Sequence, residues 1–122
     1  MTFFQSKKLV LHYKWIDQKK SITFLFINSL GTDFRIWDGV LPSLEKHCNI
    51  LLYDKRGHGL SDIGNDTKGL EEFAEDAESL LNHLKIERCI IIGLSVGGMI
   101  AQILASRIQQ KIERSRCFEY IS

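Results

Sequence analysis

What this sequence lacks narrows it first. Sixteen basic residues against fifteen acidic ones leave a formal charge of +1 over 122 residues. No block of one sign stands out, so neither a nucleic-acid partner nor a membrane-surface partner is expected. Cysteine is scarce: Cys48, Cys89 and Cys117 are odd in number, widely spaced and form no C-x-x-C pair. A zinc site and a redox motif are therefore not indicated, and a reducing cytoplasm is the simplest compartment. Met1 to Lys8 contains no apolar stretch of signal-peptide length. Residues 89–105 carry no charge, but Gly93, Ser95, Gly97 and Gly98 interrupt the run. A buried strand, a tight turn and a buried helix explain that stretch better than a membrane span. Internal repeats, low-complexity tracts and linkers are absent too, which leaves one domain.

What is present is an ordinary globular composition, 44% apolar and 25% charged. Leu9 to Ile16 alternates with period two and predicts a strand. Ile22 to Ile27 is a continuous apolar run, as in a strand covered on both faces. A helix is expected over about Arg35 to Lys46, with Ile36, Trp37, Val40, Leu41 and Leu44 inward. The sole proline, Pro42, suggests a break or fresh start near Gly39. Asn49 to Tyr53 is the next strand, followed by a polar, Gly-rich loop from Asp54 to Asp62. Leu70, Phe73, Ala74, Ala77, Leu80, Leu81 and Leu84 form one stripe of a helix over Gly69 to Leu84. Glu71, Glu72, Glu75, Asp76 and Glu78 are expected on its wet face. A strand at 89–92 and a helix at 96–107 follow. Alternating strands and helices of this kind predict an α/β fold with a largely parallel sheet.

Gly93-Leu94-Ser95-Val96-Gly97 lies between that last strand and that last helix. It is a G-x-S-x-G elbow in the strand–turn–helix setting the motif requires. Ser95 is the candidate nucleophile, raised on a sharp turn that admits only very small residues at Gly93 and Gly97. The Val96 N–H, at the positive end of the helix, is a candidate oxyanion donor. The second donor is expected from the loop Asn28-Ser29-Leu30-Gly31, at the N–H of Leu30. A dinucleotide fingerprint needs glycine where Ser95 stands, and a phosphate loop needs G-K-[ST], so both fail.

These residues resemble the α/β-hydrolase superfamily and, within it, the 3-oxoadipate enol-lactonases. The resemblance runs through Asn28-Ser29-Leu30-Gly31-Thr32-Asp33-Phe34-Arg35-Ile36-Trp37-Asp38, then Tyr53-Asp54-Lys55-Arg56-Gly57-His58-Gly59-Leu60-Ser61-Asp62. It continues through Leu84-Lys85-Ile86-Glu87-Arg88 and the Ser95 elbow with Gly98 and Met99, covering about residues 9 to 112. It implies hydrolysis of a small carboxylated enol-lactone, or a related ester, in catabolism of aromatic compounds. By that likeness Ser95 attacks the lactone carbonyl, the Leu30 and Val96 amides hold the oxyanion, and water cleaves the acyl-enzyme. No metal or organic cofactor is implied. Arg35 is a candidate for holding the substrate carboxylate. His58 is implied to be structural, its imidazole bonding locally.

The sequence also departs from the family pattern. None of the 27 residues after Ser95 is His or Asp, and Glu113 and Glu119 are the only later carboxylates. The acid and base of such a triad come after the serine. The expectation is thus the N-terminal part of one α/β-hydrolase domain, an incomplete fold with helices on both faces of the sheet. It is family-like to about residue 112, with an atypical tail at 113–122, from a frameshift, a premature stop or a partial gene model. Ester hydrolysis by this chain alone is expected near background. The open flank of the strand at 89–92 is expected to pair or aggregate. A non-catalytic remnant or binding module, and one half of a split hydrolase, stay open as alternatives.

Overall fold

The computed structural model describes residues 2–6, 9–29, 31–56, 58–59, 69–111 and 118–121. Their strands are β1 (Thr2–Ser6), β2 (Leu9–Ile16), β3 (Thr23–Ile27), β4 (Asn49–Tyr53), β5 (Cys89–Gly93) and β6 (Phe118–Ile121). The helices are a 3-10 turn (Phe34–Trp37), α1 (Leu41–Leu44), α2 (Leu70–His83) and α3 (Val96–Lys111). One six-stranded sheet runs β1-β2-β4-β3-β5-β6. β1, β2 and β4 pair antiparallel in succession, whereas β4, β3, β5 and β6 are mutually parallel.

The apolar runs follow from burial on two sides. Leu25, Ile27, Leu51, Tyr53 and Ile91 face a core shared with Phe73, Ala77, Leu80 and Leu81 of α2 and Ile100, Leu104 and Ile108 of α3. Phe26, Ile50 and Leu52 point the other way, against Leu41, with Trp37 and Leu44 partly covering them. Alternation along each strand fills both cores, which is why β3 and β4 read as continuous apolar segments. Each fully buried aliphatic side chain stabilises the fold by roughly 1.5–3 kcal/mol.

Helix α2 forms where its stripe predicted. The Glu72 carboxylate accepts from the Gly69 N–H at 3.1 Å and closes the N-terminus. At the other end Lys85 adopts φ +58°. Ile86 N–H donates to the Leu81 carbonyl at 2.9 Å and Lys85 N–H to that of Asn82 at 3.1 Å, a Schellman ending.

Several expectations need correction. The segment 35–46 is two short helices rather than one, with Pro42 in the first turn of α1, where a missing N–H costs little. Ile36, in the 3-10 turn, and Val40, just before α1, are exposed, not inward. Ile22 precedes β3 and is likewise exposed. Asp76 and Glu78 are buried, not on the wet face: Arg56 reaches Asp76 at 2.7 and 2.9 Å, and Arg107 reaches Glu78 at 2.9 and 3.1 Å. β1, which no sequence signal announced, pairs with β2, and Phe4 stacks on His83 of α2 at 4.4 Å between ring centres. The flank of β5 is not open. Residues 118–121 of the tail add a parallel strand there, pairing Cys89 with Phe118 through to Ile92 with Ile121. The remaining edges for pairing are β1 and β6. Residues 57, 60–68 and 112–117, which include part of the expected Gly-rich loop, Cys117 and Glu113, lie outside the described residues.

Candidate active site

β5 is apolar and covered on both faces, and it stops where Gly93 pairs with Ile27 of β3. One step on, Leu94 N–H still donates to the Ile27 carbonyl at 3.0 Å. The chain then turns sharply. Ser95 takes φ +59°, and α3 begins at Val96. Gly97 and Gly98 N–H donate to the Leu94 and Ser95 carbonyls, both at 2.9 Å, which tightens the first turn to 3-10 geometry. A left-handed conformation at a residue with a side chain costs about 1–2 kcal/mol. Here it lifts an exposed Ser95 off the C-terminal end of the parallel strands, flanked by exposed Leu94 and Met99.

The two elbow glycines are needed for space. A Cβ on Gly93 would run into the Gly97 carbonyl. A Cβ on Gly97 would run into the Ile27 carbonyl oxygen and come within 2.8 Å of the Asn28 oxygen. The same contact shows that the elbow and the loop after β3 touch. Val96 opens a 16-residue helix, so its N–H lies among the first-turn amides that have no carbonyl in the preceding turn. Leu30, the expected second donor, lies outside the described residues.

The loop on either side of it is held from several directions. Asn28 is fully buried, and its Oδ1 accepts from Trp37 Nε1 at 3.0 Å. Thr32 Oγ1 donates to the Ser29 carbonyl at 2.8 Å, and Gly31 adopts φ +79°. Lys55 Nζ donates to the Asn28 and Ser29 carbonyls at 3.1 and 2.9 Å. Lys55 is completely buried, and that burial lowers its pKa to about 8, against the pull of neighbouring Asp54. The loop expected over 54–62 begins in the interior: Asp54 and Lys55 are both buried.

Asp54 ties three elements together. One carboxylate oxygen lies 2.8 Å from Nδ1 of buried His12 on β2, and the other accepts from the Phe34 N–H at 2.9 Å. The His12 ring stacks on Phe34 at 4.9 Å. Nothing in the local sequence marked His12, Asp54 or Lys55, because each is defined by a partner remote in the chain.

Arg35 lies where expected, beside the loop, on an open depression of about 540 Å³ lined by Gly31, Thr32, Asp33, Arg35, Ile36 and Asp38. Its guanidinium is already forked onto Asp33, with bonds of 3.0 and 2.8 Å. Those bonds hold the Asp33 carboxyl down at about 2 and raise Arg35. A substrate carboxylate at this place would compete with Asp33 for the same fork.

The four histidines are spread over the molecule. His58 Nδ1 lies 3.1 Å from the Arg56 carbonyl, the local bonding expected of it, and its ring meets Phe73 edge-on. His12 is on β2, three strands from β5, or roughly 14 Å away at about 4.8 Å per strand. His83 is stacked on Phe4, and His47 follows α1.

Comparison with known proteins places these features in context. The family described as alpha/beta hydrolase fold matches residues 22–114. A 3-oxoadipate enol-lactonase 2 of Acinetobacter baylyi is 28% identical over 89% of this chain and 41% of its own length. The 3-oxoadipate enol-lactonase 1 of the same organism is 39% identical over 63% of this chain and 29% of its own length. The crystal structure of an enol-lactonase from Burkholderia xenovorans superposes with a TM-score of 0.84 at 33% identity, over 92% of this chain and 44% of that one. The chain thus spans less than half the length of these relatives.

Proposed function

Because the chain belongs to the α/β-hydrolase family, we propose that it carries the nucleophile half of a carboxylic-ester or lactone hydrolase, with Ser95 as the attacking residue. The carrying observation is the elbow: an exposed serine at φ +59°, between two glycines that have no room for a Cβ. Strain of this kind persists where the surrounding structure enforces it, and it collects at sites of chemistry.

In this reading Ser95 Oγ adds to the ester or lactone carbonyl. The Val96 N–H and, from the loop after β3, the Leu30 N–H receive the charge that develops on the carbonyl oxygen. Each such donor stabilises the transition state by about 3–4 kcal/mol. Collapse of that adduct expels the alkoxide or enolate and leaves an acyl-serine for water to cleave. The named enol-lactonase relatives favour a small enol-lactone as substrate. The widely spaced cysteines favour a cytoplasmic setting.

The reaction also needs a base. Serine is a poor nucleophile until its proton is taken. Among the described residues no histidine stands on β3 or β6, the strands beside β5. We therefore expect turnover near background for this chain alone. A second polypeptide bearing the acid and the imidazole would complete a split enzyme, whereas a binding module would gain nothing from it.

Intact-mass analysis after incubation with p-nitrophenyl acetate tests the assignment, with and without added imidazole as a surrogate base. One acetyl group mapped to Ser95, formed faster with imidazole and absent from Ser95→Ala, supports it. Acetylation confined to lysines, unchanged in Ser95→Ala, refutes it.

A further inference from the structure

Lys55 is the residue whose placement the reaction as described does not use. A lysine is almost never fully buried unless it is paired, and burying its charge costs several kcal/mol. Yet Lys55 is completely enclosed, and its Nζ spends two donors on consecutive backbone carbonyls, those of Asn28 and Ser29. Both belong to the segment that leaves β3 and passes the elbow. The Asn28 oxygen is also the atom within 2.8 Å of where a Gly97 Cβ would stand. This stretch of backbone is thus pinned between a buried cation and the first turn of α3.

The direction of the pinning matters. Carbonyl and N–H of a planar trans peptide point opposite ways. Holding the Asn28 and Ser29 carbonyls on Lys55 therefore fixes which way the two peptide planes that carry them are turned. Charge-assisted bonds are roughly twice as strong as neutral ones. Thr32 Oγ1 adds a neutral bond to the Ser29 carbonyl, and the Asn28 side chain is fixed by Trp37.

We propose that Lys55 is a positioning residue for this site: its buried ammonium fixes the Asn28 and Ser29 carbonyls and so sets the orientation of the loop's peptide planes beside the Ser95 elbow. The purpose assigned to the loop rests on the hydrolase reading; the orienting role of Lys55 does not. The charged group acting on it is Asp54 from the same strand end, and that carboxylate is in turn bonded to His12 of β2. Because burial brings the lysine down to about 8, the hold weakens in mildly alkaline solution.

Nuclear magnetic resonance of the isotope-labelled chain tests this without needing turnover. In the wild type, the Ser29, Gly31 and Thr32 amide signals are expected to titrate together with the Lys55 side chain, with a midpoint of about 8, while those of β3 and β5 stay flat. In Lys55→Met that titration disappears, and the same amides exchange with solvent about tenfold faster relative to the strands, the mark of local rather than global opening. Loop amides that ignore both pH and the substitution would overturn the proposal. So would an equal titration in Lys55→Met. Should that variant not fold, the wild-type titration decides by itself. In Ser95→Ala the loop titration is expected to survive while acetylation is lost. Failed acetylation beside an intact loop titration counts against the hydrolase reading alone.

Discussion

Replacing Gly97 by alanine probes the elbow through a single methyl group. The added Cβ would collide with the Ile27 carbonyl oxygen and lie 2.8 Å from both the Ile27 carbon and the Asn28 oxygen. All three are backbone atoms. Ile27 is held in β3 between β4 and β5, and its carbonyl already accepts the Leu94 N–H. No rotamer change relieves the contact, so α3 must move away from the sheet. Overpacking of this kind costs about 3 kcal/mol, at the upper end of its usual range. Alanine regains up to about 1 kcal/mol of helix propensity over glycine, less in a first turn. The clash wins, and a net loss of about 2 kcal/mol is expected. For a chain of this length that lowers Tm by about 6–10 °C. Gly39→Ala is the control, since nothing lies within 4 Å of its added Cβ. It should change stability by less than about 0.5 kcal/mol. Thermal melts followed by circular dichroism give both values. A Gly97→Ala variant as stable as Gly39→Ala would refute the tight approach of elbow to β3, and with it the placement of the Asn28 loop.

Three further predictions follow from the same geometry. Ser95→Gly removes a side chain from a left-handed conformation and should raise stability by about 1 kcal/mol in denaturant melts, while abolishing acetylation; unchanged or lower stability would mean the turn is not strained. Arg56→Met strips buried Asp76 of two bonds and should cost about 3–5 kcal/mol, whereas the double variant Arg56→Met with Asp76→Leu should recover much of it. Lys55 carries a signed pH effect. Its pKa falls from the ordinary 10.5 to about 8 on folding, so below about 8 both states are protonated and the burial penalty is felt in full. Above that value the unfolded chain binds the extra proton, and stability should climb by up to about 3 kcal/mol toward the ordinary lysine pKa. Lys55→Met should abolish that climb, which urea melts at the two pH values would show.

Much of the architecture was legible because it is written locally. Two-sided burial leaves continuous apolar runs in β3 and β4, and one-sided burial leaves the stripe of α2. The elbow was legible for the same reason: strand, turn and helix are adjacent in sequence, and the need for small residues acts between Gly93 and Gly97, four positions apart. Charged side chains were misread. Asp76 and Glu78 sit at wet-looking positions of an amphipathic helix, yet their arginines, 20 and 29 residues away, make burial tolerable.

The sequence by itself therefore determined the strand–turn–helix that raises Ser95, because neighbouring residues impose that conformation on one another. Only the tertiary structure decided what surrounds it: β6 covering the flank of β5, Asp54 joining His12 to Phe34, and Lys55 reaching carbonyls 26 and 27 residues earlier. A charge is expelled or enclosed according to the partner the fold delivers to it, and no local pattern records where that partner lies.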